Sequence, residues 1–199
     1  MGRPREHDAE TATALLEASE RAIEERGVDA LSVRGVAGQV GVSTRAVYSV
    51  YGSKEGLVAE LAVRALDRLG AAVRDLPTTD DPTTDLVNAG LEFRRFATDH
   101  PSLFAIGVQR TGHLPDALWE RVREAARRSL CELELRITRL QSAGLLGNRT
   151  VGDATFQFHA YVEGMTALEL RGRLGSDTEV IRQIWVSGMS AMLNGFQGT

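Results

Sequence analysis

The chain has 199 residues, 43% hydrophobic and 25% charged, with a net charge of −4 at neutral pH. Such a composition is ordinary for a globular protein able to bury about 70% of its unfolded surface. Its single cysteine, Cys131, excludes a disulfide framework or a multi-cysteine metal site; no apolar run nears the ~20 residues of a membrane span, and the opening MGRPREHDAE lacks the apolar core of a secretory signal, so a soluble, cytoplasmic protein with no membrane partner is expected.

Apolar residues recur with the helical period throughout, and no sustained alternation of period two occurs, which predicts an all-α chain of about nine helices. The first helix is expected from about Asp8 to Arg26, with Ala12, Leu15, Leu16, Ala22 and Ile23 as one stripe and Gly27 at its C-cap. Ser32 is a good N-cap for a second helix ending near Val40; Gly41 makes the turn, and Ser43 caps a third helix from Thr44 to about Tyr51. Gly52 and Ser53 punctuate before a longer helix from Lys54 to about Asp75. The segment Leu76 to Pro82, LPTTDDP, is the clearest break, and its Asp81-Pro82 pair opens a helix to Thr98. Pro101 opens a short helix, and a long one runs from about Pro115 to Ser142, about 40 Å at ~1.5 Å per residue. A loop from Gly144 to Arg149 precedes two last helices, about Thr150 to Arg171 and Asp177 to Phe196. There is no internal repeat and no low-complexity tract.

The second and third helices carry the strongest functional signal. They form a tight glycine-turned pair, and no Asp or Glu occurs from Ala30 through Lys54 in an otherwise acidic chain. A compact helix pair without negative charge can lay one helix in a DNA groove. Val33, Val36, Ala37 and Val40 are expected to pack against Val47 and Ala46. Ser43, Thr44 and Arg45 then stand at the end of the third helix that meets base edges; Thr44 suits a thymine methyl or a phosphate, and Arg45 suits guanine or phosphate. Tyr48 lies one turn on and can reach the backbone, and Lys54 adds charge at a helix N-terminus that already favours phosphate. Ser32 and Arg34 on the second helix, and Arg3 and Arg5 in the N-terminal arm, complete the expected DNA-binding set. The overall acidity counts little, because local field governs approach to phosphate.

This run, from about Leu31 through GVSTRAVYSVYGSKEGL, resembles the DNA-binding segment of the TetR family of bacterial transcriptional regulators. Ala37, Gly41, Val42, Ser43, Val47, Tyr48, Tyr51, Lys54 and Leu57 fall on that pattern, and the GRPR opening at Gly2 to Arg5 is similar to family arms. Val47 and Tyr51 replace the commoner Leu and Phe as core swaps. Val50 stands where a His or Tyr often contacts phosphate, so it is not counted as a contact.

The resemblance implies an N-terminal three-helix helix-turn-helix domain, residues 1–54 with a connecting helix 54–75, and a larger helical domain, 76–199, that binds an effector and dimerises. Phe93 to Ile106 and Tyr161 to Leu170 resemble a WHG-like subgroup of such C-terminal domains. The last helix bears an apolar stripe of Val180, Ile181, Ile184, Trp185, Gly188, Met189, Met192 and Phe196, and the one before offers Phe158, Tyr161, Val162, Met165 and Leu168. A dimer interface through Met165, Leu168, Ile181, Trp185, Gly188, Met189 and Met192 is expected, although packing within one subunit accounts for half of these residues. Phe93, Phe96, Phe104, Trp119, Val122, Phe158, His159 and Tyr161 can line an effector pocket; the same aromatics also suit a plain core. The histidines show no metal-ligand spacing, and no cofactor is expected. The expected partners are a double-stranded DNA operator, a second copy of the chain and an unknown small molecule. The resemblance implies a non-enzymatic repressor that the effector releases from a near-palindromic operator. An all-helical small-molecule-binding protein or enzyme with a non-functional DNA-binding head is the alternative, although no nucleophile–base motif or phosphate loop occurs.

Overall fold

Short polar side chains decide where the helices begin. The computed structural model describes residues 5–109 and 114–197, with the backbone alone for residues 5–8. Within it the helices are α1 (Arg5–Arg26), α2 (Val33–Val40), α3 (Thr44–Tyr51), α4 (Lys54–Arg74), α5 (Pro82–Asp99), α6 (Pro101–Gly107), α7 (Asp116–Ser142), α8 (Val151–Leu170) and α9 (Thr178–Gln197). Ser43 Oγ accepts the Ala46 N–H at 3.2 Å, Ser53 Oγ the Gly56 N–H at 3.0 Å and Thr150 Oγ1 the Asp153 N–H at 3.1 Å. Each satisfies a donor that the first helical turn leaves open. Asp81 does the same for α5, accepting from Thr83 and Thr84, with Pro82 at the first helical position. The expected boundaries therefore hold to within a few residues. The turn of 3-10 helix at Val28–Ala30 was not foreseen; three residues are too few to show a period.

Two compact units arise, Met1–Asp67 with His100–Ala126, and Arg68–Asp99 with Arg127–Thr199. In the first, α1 is the hub, packing against α2, α3 and α6. Leu15, Ala18, Ala22 and Ile23 of α1 are buried with Leu31, Val33, Val36, Ala37 and Val47. The seven-residue α6 lacks a side-chain cap of its own at His100, and Glu24 of α1 supplies one. Its carboxylate accepts the Leu103 N–H at 3.1 Å and the Ser102 N–H at 3.4 Å.

In the second unit α5 packs against α8 and α9. Gly90 makes the close approach possible, because a Cβ there would lie 2.3 Å from Met189 Sδ and 3.1 Å from Phe158 Cζ. A part-buried polar cluster ties the same helices. Arg94 grips Glu169 with Nε and Nη2 at 2.8 and 2.7 Å, and the Trp185 indole N–H donates to Glu169 at 2.7 Å. The guanidinium of Arg136, which is buried, donates to the Val73 and Leu76 carbonyls at 2.7 and 3.0 Å, closing the end of α4.

The break at 76–82 is held by Asp85, only 1% exposed. Its carboxylate accepts the Thr79 N–H at 2.9 Å and the Thr79 hydroxyl at 2.8 Å, and pairs with Arg139. Burial alone pushes its pKa up, but the Thr79 bonds and the Arg139 guanidinium outweigh that, and the carboxyl titrates below its usual 3.8. A lowered folded pKa means that this stabilisation is complete well above pH 3.8 and fades as the pH falls below it. Asp85→Asn should therefore lower unfolding free energy by about 2–4 kcal/mol at pH 7. The gap from the parent should narrow under strong acid, as read from denaturant melts across pH.

Candidate nucleic-acid interface

The sequence places its acid-free window on the outer face of the first unit. Described throughout, α3 buries one side chain, Val47, which faces the buried Val33, Val36 and Ala37 side of α2. Gly41 turns the chain between the two helices in the left-handed region, φ 76°, and the Val42 N–H returns to the Ala37 carbonyl at 2.9 Å. A side chain with a Cβ is strained in that conformation, which accounts for glycine in the turn. With Val47 turned inward, Ser43, Thr44 and Arg45 lie exposed at the start of α3, and Tyr48 follows one turn later, half exposed. Ser32 and Arg34 are exposed at the start of α2, and Lys54 is exposed as the first residue of α4.

Two of these residues have an internal duty first. The Ser43 and Ser32 oxygens accept the Ala46 and Gly35 amides of their own helices, at 3.2 and 3.4 Å, so each keeps its O–H and one lone pair for an outward partner. Arg3 lies outside the described residues. Arg5 is the first residue of α1, and its side chain lies outside them also. Val50 is exposed beside Tyr51 and, with Ala12, Thr13, Leu16, Gly56, Glu60, Arg64 and Arg121, lines a cleft of about 350 Å³. Tyr51 is more than a core swap, since its hydroxyl donates to the Ala12 carbonyl of α1 at 2.6 Å. The signal for this was the hydroxyl itself, since a phenol in an apolar position needs a partner.

The expected effector residues fall in both units. Phe104, Trp119 and Val122 belong to the first, and Phe93, Phe96, Phe158, His159 and Tyr161 to the second. Phe93, Phe96, Phe104, Val122 and Phe158 are buried, and Phe158 lies against Gly90. The His159 ring meets Phe93 edge-on, centroids 6.0 Å apart, and its Nε2 lies 3.5 Å from Glu163. Burial holds the His159 pKa below its usual value against the pull of Glu163, so the ring is neutral at pH 7. Among the described residues no cluster of His, Cys, Asp and Glu could hold a metal ion, and no helix is long and apolar enough to cross a membrane.

Of the residues expected at a dimer interface, Ile181, Trp185 and Met189 are buried inside the second unit. Trp185 donates to Glu169, Met189 packs on Gly90, and Gly188 accommodates Tyr161, whose hydroxyl would stand 1.9 Å from a Cβ there. These three side chains and the Gly188 site are thus occupied within the subunit. Met165 and Met192 are half-buried and Leu168 is exposed. The outward apolar groups are Phe156, Leu168 and Leu170 on α8 and Val180 and Ile184 on α9, with Phe156 the barest at 74% exposed. Phe156, Ala160, Gly164 and Leu168 are all exposed at spacings of four, which makes one outward stripe of α8. Phe156 gave no signal of its own in the sequence, because its buried neighbour Phe158 has the same apolar character.

Residues 15–61 match the family model described as bacterial regulatory proteins, tetR family. Residues 86–192 match that of the tetracyclin repressor-like C-terminal domain. No curated protein matches the chain in sequence. A solved protein of unknown function from Rhodococcus sp. RHA1 shares the fold with a TM-score of 0.83 and 24% identity, over 98% of this chain and 100% of that one. The TetR family transcriptional regulator PfmR from Thermus thermophilus aligns with a TM-score of 0.66 and 22% identity, over 90% and 96%. A TetR-family transcriptional regulator from Rhodococcus sp., described as putative, gives 0.68 and 22%, over 93% and 99%.

The cap at Ser43 is open to a direct check. Ser43→Ala removes the side-chain acceptor of the Ala46 N–H, leaving it the carbonyl of residue 43 at 3.0 Å, and should lower stability by about 1 kcal/mol. Hydrogen exchange should show faster opening of the α3 amides than in the parent, with those of α8 unchanged.

Proposed function

The chain belongs to the TetR family of bacterial regulatory proteins, and on that premise we propose that it is a homodimeric repressor released from a near-palindromic operator by a small molecule. Residues 1–54, joined by the helix 54–75, act as the reading head, and residues 76–199 bind the effector and the second copy. The observation that carries this reading is the stretch from α2 to the start of α4, which exposes Arg34, Thr44, Arg45, Tyr48 and Lys54 with no acidic residue from Ala30 through Lys54.

On this face Thr44 and Arg45 read base edges in the major groove, while Tyr48, Lys54 and Arg34 hold phosphates. The outward stripe of α8 and the exposed Val180 and Ile184 of α9 supply the apolar area for a two-fold interface, in which Leu168 and the half-buried Met165 and Met192 take part. Two copies then present two heads about 34 Å apart, one turn of DNA. An effector that prefers the conformation with misplaced heads weakens DNA binding by its differential affinity, commonly about 1–3 kcal/mol. Phe93, His159 and Tyr161 of the second unit are the proposed effector contacts.

Titration against a palindrome from the upstream region of its own gene, at several salt concentrations, tests the DNA reading. Affinity should fall steeply with salt; weak, salt-insensitive binding to every sequence would refute it. Tyr48→Ala and Lys54→Ala should weaken binding to all sequences alike, and Lys54→Ala should reduce the salt slope by about one. Arg45→Ala should change which sequences are preferred, at a cost of about 1–3 kcal/mol on the best one. Sedimentation checks the interface: Leu168→Asp with Ile184→Asp should give a folded monomer, whereas a persistent dimer would place the interface elsewhere.

A further inference from the structure

An eight-residue helix with one buried side chain has one fixed point. In α3 that side chain is Val47, whose apolar packing fixes the distance of the helix from the core more than its direction. Four residues on, on the same face, Tyr51 supplies a second point. Its ring is half-buried, and its hydroxyl donates to the Ala12 carbonyl of α1 at 2.6 Å, across 39 residues of chain. Burial first, and the nearby Glu60 second, push the phenol pKa up to about 12, so the group keeps its proton and remains a donor at neutral pH. The hydroxyl is tied to the backbone of the hub helix, whose main chain moves less than a side-chain partner would.

We propose that Tyr51 is a positioning residue for sequence reading: its hydroxyl bond to Ala12 fixes the tilt of α3 on α1 and so aims Thr44 and Arg45 at base edges. The proposal rests on the DNA-binding reading above. With its hydroxyl engaged by Ala12, Tyr51 acts through the helix that presents Thr44 and Arg45. A phenylalanine at this position would fill the same volume and keep the packing, but would leave α3 with apolar contacts alone. Contacts to phosphate tolerate a rocking helix, because the backbone presents the same charge at every step. Bidentate contacts to base edges do not tolerate it, because they demand a set direction.

The test is Tyr51→Phe, with affinities measured for a duplex that the parent protein selects from a random pool and for a scrambled duplex of equal length. The variant should bind the selected duplex about tenfold more weakly, bind the scrambled one as the parent does, and melt within about two degrees of it. Val47→Ala, which removes packing and no polar bond, gives the pattern of a structural loss: a lower melting point and parallel losses on both duplexes. Unchanged affinity of Tyr51→Phe for the selected duplex, or a pattern like that of Val47→Ala, overturns the proposal while leaving the DNA-binding reading intact. Failure of the parent itself to select any duplex overturns both.

Discussion

A recognition helix must expose most of its surface, and a helix that exposes most of its surface cannot hold itself. That conflict shapes the first unit. Two turns of helix are marginal in water whatever their composition, and α3 has one buried residue to offer the core. The missing stability comes from its ends. Ser43 satisfies an open amide at the start, Gly41 and Gly52 set the directions of entry and exit, and Tyr51 ties the last turn to α1. The apolar face of α1 is the platform to which these attachments lead. A serine cap, a glycine turn and a tyrosine bond thus allow Thr44, Arg45 and Tyr48 to stay in water with a defined direction.

The second unit solves a different problem with different means. There the helices are long, and polar groups largely withdrawn from water help set their relative placement. Glu169 accepts from both Arg94 and Trp185, so one carboxylate joins α5, α8 and α9. Asp85 and Arg136 secure the connection from α4 to α5 by bonding backbone and side chains around the loop. Buried ionic groups of this kind add little net stability compared with apolar packing, but leaving one partner alone is severely unfavourable. They therefore penalise alternative helix registers more than they favour the native one. Gly90 and Gly188 complete the fit by allowing Met189, Phe158 and Tyr161 to occupy space that a methyl group would take.

Much of this was legible in the residues, and the exceptions share a cause. Helix limits followed from Ser32, Ser43, Pro82 and Pro101, because capping is local chemistry. The inward side of α2 and α3 followed from the period of Val33, Val36 and Val47, all of which are buried. What depends on distant partners was not legible. A helical wheel does not show the groups that meet Trp185 and Met189: Glu169 comes from the preceding helix and Gly90 from α5. For the same reason the sequence does not show that Phe104, Trp119 and Val122 belong to one compact unit and Phe93, Phe96, Phe158, His159 and Tyr161 to the other. Tyr51 marks the boundary between the two cases: its hydroxyl announced that a partner must exist, and only the fold shows that it is the backbone of Ala12.

The scarcity of basic groups in the window has a kinetic side. Arg34, Arg45 and Lys54 are its only fixed positive charges, and the grip of any such protein on arbitrary DNA scales with the number of phosphates it neutralises. With few, the energy well on non-operator sequence is shallow and residence there is brief. Such a protein explores a chromosome by repeated departure and return more than by long one-dimensional travel, and little of it is sequestered on the excess of irrelevant sites. The pool not bound to DNA is then larger than it would be for a strongly cationic head.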